Sequence, residues 1–221
     1  MNTLAEKTCW IMGAGEHFED MLRIPEGDLL IAADGGMAEL ERMGLTPDLI
    51  VGDFDSLGYA PEGGNVMRLP VEKDETDMEM CVRLGVERGA ARFFLFGGTG
   101  GRISHTLANT QLLCRLASRG LKGFLFGGRT VITAVKDSAE VFPAGLCGSV
   151  SLFPQGGEIR HVTETGLKYA LDDAVLAPDA VIGVSNSFTG AEASIEVGEG
   201  TALIICEFDR EEDVWNWLAR A

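Results

Sequence analysis

The chain has 221 residues, 46% of them hydrophobic and 24% charged, enough for a proper core in one large domain or two small ones. Its net charge of −16 excludes non-specific binding to nucleic acid or anionic membrane, because no basic field exists to attract phosphate backbones. A nucleotide ligand stays open, since a divalent cation reverses the local sign.

The first half alternates strand-like and helix-like segments. Cys9–Met12 is a short apolar run ending in Gly13-Ala14-Gly15, and Leu29–Ala33 is another, ending in Asp34-Gly35-Gly36. Met37–Met43 reads as a short helix stopped near Gly44, and Leu49–Val51 as a third strand. Lys73–Arg88 reads as a helix with a capping box from Thr76 to Glu79 and a stop at Gly89. Arg92–Phe96 is a fourth strand, ending in GGTGG. A long helix follows with Ile103, Leu107, Cys114 and Ala117 on one face, then a fifth strand at Leu121–Phe126. FLFGG occurs at 94–98 and 124–128, as two similar strand ends would produce.

Strands alternating with helices imply a parallel sheet with helices on both faces, whose ligands bind beyond the carboxyl ends of the strands. Four Gly- or Asp-rich loops, at 13–15, 34–36, 52–56 and 97–102, fall at those ends. From about residue 128 the texture changes to short β-rich segments at Thr130–Val135, Ala139–Phe142, Ser149–Phe153, Glu158–Val162, Ala180–Ser185, Ala193–Val197 and Thr201–Glu207. A short helix, with Val214, Trp215 and Leu218 as its apolar stripe, closes the chain at Glu211–Ala221. The expected fold class is therefore α/β, a three-layer parallel-sheet domain over 1–127 followed by an antiparallel β-sandwich domain over 128–221.

Five cysteines (Cys9, Cys81, Cys114, Cys147, Cys206) lie far apart without a CxxC pair, as small hydrophobes in a reducing compartment do. Neither a signal peptide nor a run of about 18 apolar residues is present, so a cytoplasmic location without membrane insertion is expected.

The chemistry-bearing residues cluster in the first half. Asp53 and Asp55 flank Phe54 after a buried strand. In extended chain both carboxylates point the same way, roughly 6–7 Å apart, a span that side chains can close around one hard cation. An acidic surface turn is the alternative. Asp74 and Asp77 open a helix, where capping accounts for one of them, and Lys73 stands beside them. Asp34 adds a strand-end carboxylate followed by Gly35 and Gly36. Taken jointly, these segments favour a metal site over separate turns and caps. Gly97–Arg102 is an amide-rich loop suited to phosphate oxygens, and Arg102 offers a bidentate guanidinium. No GxxxxGK[ST] exists, so it is not a P-loop. His105 reads as a helix-start residue rather than a base, and His17 and His161 lack metal-ligand spacing. Tyr169 and Ser185-Asn186 offer an aromatic face and polar groups for a flat heterocycle, or simply a β-turn with a packing tyrosine.

DGG (34–36), GLTPDLIVGDFDS (44–56), EKDETD (72–77) and GGRISHTLAN (100–109) are similar in order and spacing to the thiamine pyrophosphokinase family. SLFP (151–154), TGLKYAL (165–171) and GVSNSF (183–188) continue the resemblance over nearly the whole chain. It implies an ATP:thiamine pyrophosphotransferase releasing AMP, and a homodimer with thiamine held between subunits. It also implies that Asp53, Asp55 and Asp77 hold Mg2+ and, with Arg102, perform the transfer. Asp34, Gly35, Gly36, Ser56, Lys73, Asp74, Gly100, Gly101, Arg102 and His105 would bind ATP, and Tyr169, Ser185 and Asn186 thiamine. Asp55 or Asp77 is the expected proton acceptor. One departure stands out: Ser104 occupies a position where the family commonly has Asp, which removes a negative charge. That substitution keeps two rivals open, a non-catalytic nucleotide or thiamine sensor and a kinase of another small alcohol.

Overall fold

The computed structural model describes residues 7–16, 22, 24–55, 57–59, 61–70, 72 and 74–221. The chain divides into two compact units, Met1–Asn109 with Gly123–Gly128, and Thr110–Lys122 with Arg129–Ala221.

In the first unit the strands are β1 (Thr8–Met12), β2 (Leu29–Ala33), β3 (Leu49–Gly52), β4 (Val66–Arg68), β5 (Arg92–Phe96) and β6 (Lys122–Gly127). They lie in the order β6-β5-β1-β2-β3-β4. β1 pairs in parallel with both β2 and β5, Ile11 facing Ile31 on one side and Leu95 on the other. β3 pairs in parallel with β2 and β4. Every residue of β1 and β2 is buried, as expected of a parallel sheet covered on both faces. β4, with a single exposed and two half-buried residues, carries no apolar run and was not anticipated.

The two faces of the sheet divide by residue parity. Trp10, Phe94, Phe96, Phe124 and Phe126 share one face; Trp10 meets Phe94 edge-on with centroids 4.6 Å apart, and Phe96 stacks on Phe126 at 4.2 Å. Each such ring contributes about 1.5–3 kcal/mol by burial. Cys9 and Phe93 occupy the opposite face, against α2 (Asp77–Glu87). A Cβ at Gly85 would sit 2.6 Å from Phe93 Cε1 and 2.9 Å from Cys9 Sγ, so a helix-weakening glycine is what allows α2 to lie this close. Burial pushes the Cys9 thiol up to about 12, which leaves it an apolar filler.

Two helices differ from expectation. α2 begins at Asp77 rather than Lys73, because Thr76 is extended and its side chain accepts from Glu79 N at 3.1 Å, so residues before it lie outside the helix. α3 (Ile103–Ala117) forms where expected, but Ile103 and Leu107 are exposed. Asn109, Leu112, Leu113 and Leu116 are buried instead, the denser i, i+3, i+4, i+7 stripe. α1 (Gly36–Arg42) lies, like α2, within the first unit.

The second unit contains β7 (Thr130–Phe142), β8 (Gly148–Thr165), β9 (Leu171–Leu176), β10 (Asn186–Ser187), β11 (Ala193–Phe208) and α4 (Glu211–Leu218). β11 pairs antiparallel with β7 and β8, while β9 and β10 pair antiparallel with β8. Three pairs of expected short strands are each one long strand. The Gly and Asp residues that read as turns are bulges: Asp137 (φ 47°) accepts Gly200 N at 2.7 Å, and the β11 register shifts between Val197 and Thr201. Ala180–Ser185 is not a strand; β9 and β10 flank it. Phe142, Phe188, Phe208 and Trp217 form the core of this unit, and Trp217 Nε1 donates to buried Glu140 Oε1 at 2.9 Å. The stripe of α4 is Val214, Trp217 and Leu218, with Trp215 only half-buried.

Candidate active site

Parallel pairing sends the carboxyl ends of β1, β2, β3 and β5 to one edge of the sheet, and the loops after them meet there. Asp34 N donates to Val51 O at 2.7 Å, and Asp34 Oδ1 accepts Phe54 N at 3.2 Å. These bonds stitch the end of β2 to the end of β3. Close approach of the next loop depends on Gly36, whose Cβ would lie 1.9 Å from Met12 O.

The result is a group of three carboxylates. Asp34, Asp53 and Asp55 each offer one oxygen, all within 4.8 Å of one another. Sequence spacing anticipated that Asp53 and Asp55 converge, but through the wrong geometry. The chain is not extended there: Phe54 has φ 64°, and Asp55 N donates to Asp53 Oδ1 at 3.2 Å in an Asx-type turn. Asp34 is also left-handed, at φ 47°. Two non-glycine residues in that region at one site, one of them a buried phenylalanine, are backbone strain held by the surrounding fold.

Beside the carboxylates lies a pocket of about 400 Å³. Its wall includes Gly13–Gly15, Asp34, Thr76, Asp77, the 97–102 loop and the first turns of α3. Asp34 is thus common to the pocket and the acidic group, while Asp77 reaches the pocket from the start of α2 and does not belong to the three-carboxylate group. Gly101, Arg102 and His105 line the pocket; Gly100 stays in the loop, with Glu16 packed against its α-carbon. Gly35 caps α1. Asp74 is exposed and outside the pocket lining. Ser56, Lys73 and His17 lie outside the described residues. Reading the sequence missed Thr99, Thr106 and Asn109, which also line the pocket. His105, Thr106 and Asn109 are spaced i, i+1, i+4 on α3, a helical-face signal that was available within the GGRISHTLAN stretch.

In the second unit Tyr169 is 60% exposed, with Lys168 Nζ 5.2 Å from its ring centroid. Ser185 (φ 60°) is exposed and its N–H donates to Ser151 Oγ at 3.0 Å. Asn186 is buried, and its amide is fully engaged: Oδ1 accepts Tyr169 N and Ser187 N, and Nδ2 donates to Glu164 Oε2 and Tyr169 O. Its bonds therefore fix the Tyr169 backbone. Burial pushes the Glu164 carboxyl above its ordinary value, and the bond from Asn186 opposes the shift.

Comparison with known proteins gives a consistent answer. The family described as "Thiamin pyrophosphokinase, catalytic domain" matches residues 23–125, and "Thiamin pyrophosphokinase, vitamin B1 binding domain" matches residues 142–202. Thiamine pyrophosphokinase from Bacillus subtilis is 26% identical over 83% of this chain and 89% of its own length. Thiamine pyrophosphokinase 1 from Oryza sativa subsp. japonica is 27% identical over 81% of this chain and 70% of its own. The crystal structure of thiamin pyrophosphokinase from Geobacillus thermodenitrificans has a TM-score of 0.77 at 26% identity, covering 92% of this chain and 99% of that one. The Bacillus subtilis crystal structure has a TM-score of 0.79 at 24% identity, covering 92% and 100%. Catalytic and vitamin B1 binding models of one family match successive parts of the chain, and the chain belongs to the thiamine pyrophosphokinase family.

Proposed function

We infer that the chain is an enzyme that transfers pyrophosphate from ATP to thiamine, giving thiamine diphosphate and AMP. The observation that carries this reading is the meeting of Asp34, Asp53 and Asp55 beside a glycine-lined pocket that Asp34 also lines, in a chain matched by both thiamin pyrophosphokinase family models. The first unit is read as a three-layer nucleotide-binding domain, supported by its parallel pairing and doubly buried strands. The second is read as a thiamine-binding β-sandwich, with a boundary near residue 127.

Three carboxylate oxygens within 4.8 Å fit a hard divalent cation such as Mg2+, which keeps waters in its remaining positions. When bound, the cation neutralises phosphate charge and supports the departure of AMP. Asp34, Asp53 and Asp55 would hold it, and Arg102 would pair with the triphosphate. The amides of the 97–102 loop stabilise charge on the transferred group. Asp77 lies on the pocket wall at the start of α2, and it is assigned to accept the proton of the thiamine hydroxyl as that oxygen attacks the β-phosphorus. Tyr169 stacks on the heterocycle, Ser185 contributes a polar contact, and Asn186 acts by holding Tyr169.

A homodimer with thiamine at the subunit interface accords with the exposure of Tyr169, Val181, Ile182 and Val184 in the second unit. A cytoplasmic location accords with five free cysteines; no helix of the described residues is long and apolar enough to cross a membrane.

Incubating the protein with ATP, Mg2+ and thiamine tests the reading. AMP and thiamine diphosphate should accumulate in equal amounts. Binding without turnover would instead identify the Ser104-containing chain as a sensor, and turnover only with another alcohol would identify a different kinase.

A further inference from the structure

The 97–102 loop is held by its carbonyls. Gly97 O accepts Gly15 N at 2.8 Å, Thr99 O accepts Glu16 N at 3.0 Å, and Gly98 O between them accepts Asn109 Nδ2 at 2.9 Å. In a trans peptide the C=O of one residue and the N–H of the next point in opposite directions. Pinning these carbonyls therefore fixes each following N–H: those of Gly98 and Gly100 point away from the 13–16 loop, and that of Thr99 points away from Asn109. Among the described residues those amides donate to no backbone carbonyl. Backbone donors left without a backbone acceptor at a glycine-rich turn suit the oxygens of an anion.

The middle peptide differs from its neighbours. Its carbonyl is held by a side chain, whereas the other two are held by backbone amides of the 13–16 loop. Gly98 has no Cβ to resist rotation of that peptide, and a Cβ there would lie 2.8 Å from Asn109 Nδ2 and 2.6 Å from Leu125 Cδ1. The amide of Asn109 is thus the lock on a bond that glycine leaves free. Asn109 is only 5% exposed and sits on the pocket wall, so its donor is committed and shielded from water.

We propose that Asn109 is a positioning residue for the triphosphate. By holding Gly98 O, it keeps the Gly98–Thr99 peptide oriented with Thr99 N–H toward a phosphate oxygen of ATP. This rests on the reading of the 97–102 loop as the phosphate cradle. Losing the lock lets the peptide rotate and removes one donor from the cradle, while the nucleoside and thiamine contacts are untouched.

The test compares wild type with Asn109→Leu, close in volume and unable to donate, and Asn109→Asp, which places an acceptor against Gly98 O. Affinities for Mg-ATP, inorganic tripolyphosphate and adenosine are measured by titration calorimetry, with KM for ATP and for thiamine alongside. Loss of one shielded hydrogen bond should weaken Mg-ATP and tripolyphosphate roughly tenfold. Adenosine affinity and KM for thiamine should not move. Equal affinities in all three proteins, or an equal loss for adenosine and tripolyphosphate, overturn the proposal. Wild-type protein that binds adenosine but no tripolyphosphate overturns the cradle itself, and the proposal with it. Should Asn109→Leu fail to fold, Asn109→Ser carries the same expectation in a smaller side chain.

Discussion

The two units place their polar residues differently relative to their cores. In the first, strands of three to six residues end at one edge, and the acidic groups stand just beyond the last buried residue. In the second, strands of up to 18 residues run through bulges, and polar groups such as Asn186 and Glu164 are built into the buried interior. The first arrangement separates chemistry from core packing at Asp53 and Asp55, while Asp34 also ties the end of β2 to the end of β3. The second couples them, because the group that fixes Tyr169 also satisfies a buried carboxyl.

The strongest way to break that contrast is Asp53→Asn. Losing one carboxylate of the proposed cation site should reduce turnover by about a thousandfold or more, several kcal/mol of transition-state stabilisation, with the urea midpoint unchanged. A large drop in the midpoint would show that the acidic edge is structural. Gly36→Ala probes the same edge from the packing side. A Cβ 1.9 Å from Met12 O cannot be absorbed by a flexible neighbour, so a destabilisation of about 3 kcal/mol is expected by urea unfolding.

In the second unit, Asn186→Leu should move both readouts. It strands Glu164 Oε2, Tyr169 N and Tyr169 O in a poorly solvated site, at a cost of about 1–3 kcal/mol, and should raise KM for thiamine with little effect on KM for ATP. Unchanged stability would mean the polar interior of this unit is dispensable. Glu164→Gln is the smallest effect and the sharpest in sign. Burial raises the folded-state pKa of Glu164, so its ionised form opposes folding at neutral pH, and that penalty is relieved as pH falls through the raised value toward the unfolded one. The Gln variant keeps an acceptor for Asn186 and should be modestly more stable than wild type at neutral pH. The difference should vanish in acid, checked by thermal unfolding across pH.

Legibility in the sequence followed the same division. β2 and β5 were readable to the residue, because a short apolar run closed by Gly or Asp has one interpretation in a parallel sheet. The convergence of Asp53 and Asp55 followed from their position after such a run, whereas the third carboxylate of the group is Asp34 and not the expected Asp77. The second unit resisted because Gly and Asp mark bulges as readily as turns, so β7, β8 and β11 each looked like two strands. Asn109 escaped for another reason: an asparagine inside a helix announces neither a ligand nor a lock until the loop it reaches is known. Asn186 looked like a ligand contact and its bonds are internal, which no local pattern records.

The left-handed backbone at Phe54 has one more consequence. A glycine there would adopt that torsion at no steric cost, yet phenylalanine occupies it with its ring almost fully buried and the Arg68 guanidinium 5.9 Å from the ring centroid. An apolar anchor between two acids acts as ballast: it keeps mutually repelling charges from drifting apart before any counterion arrives. The spacing on which the reaction depends is thus guarded by the one residue of the trio that has no chemistry of its own.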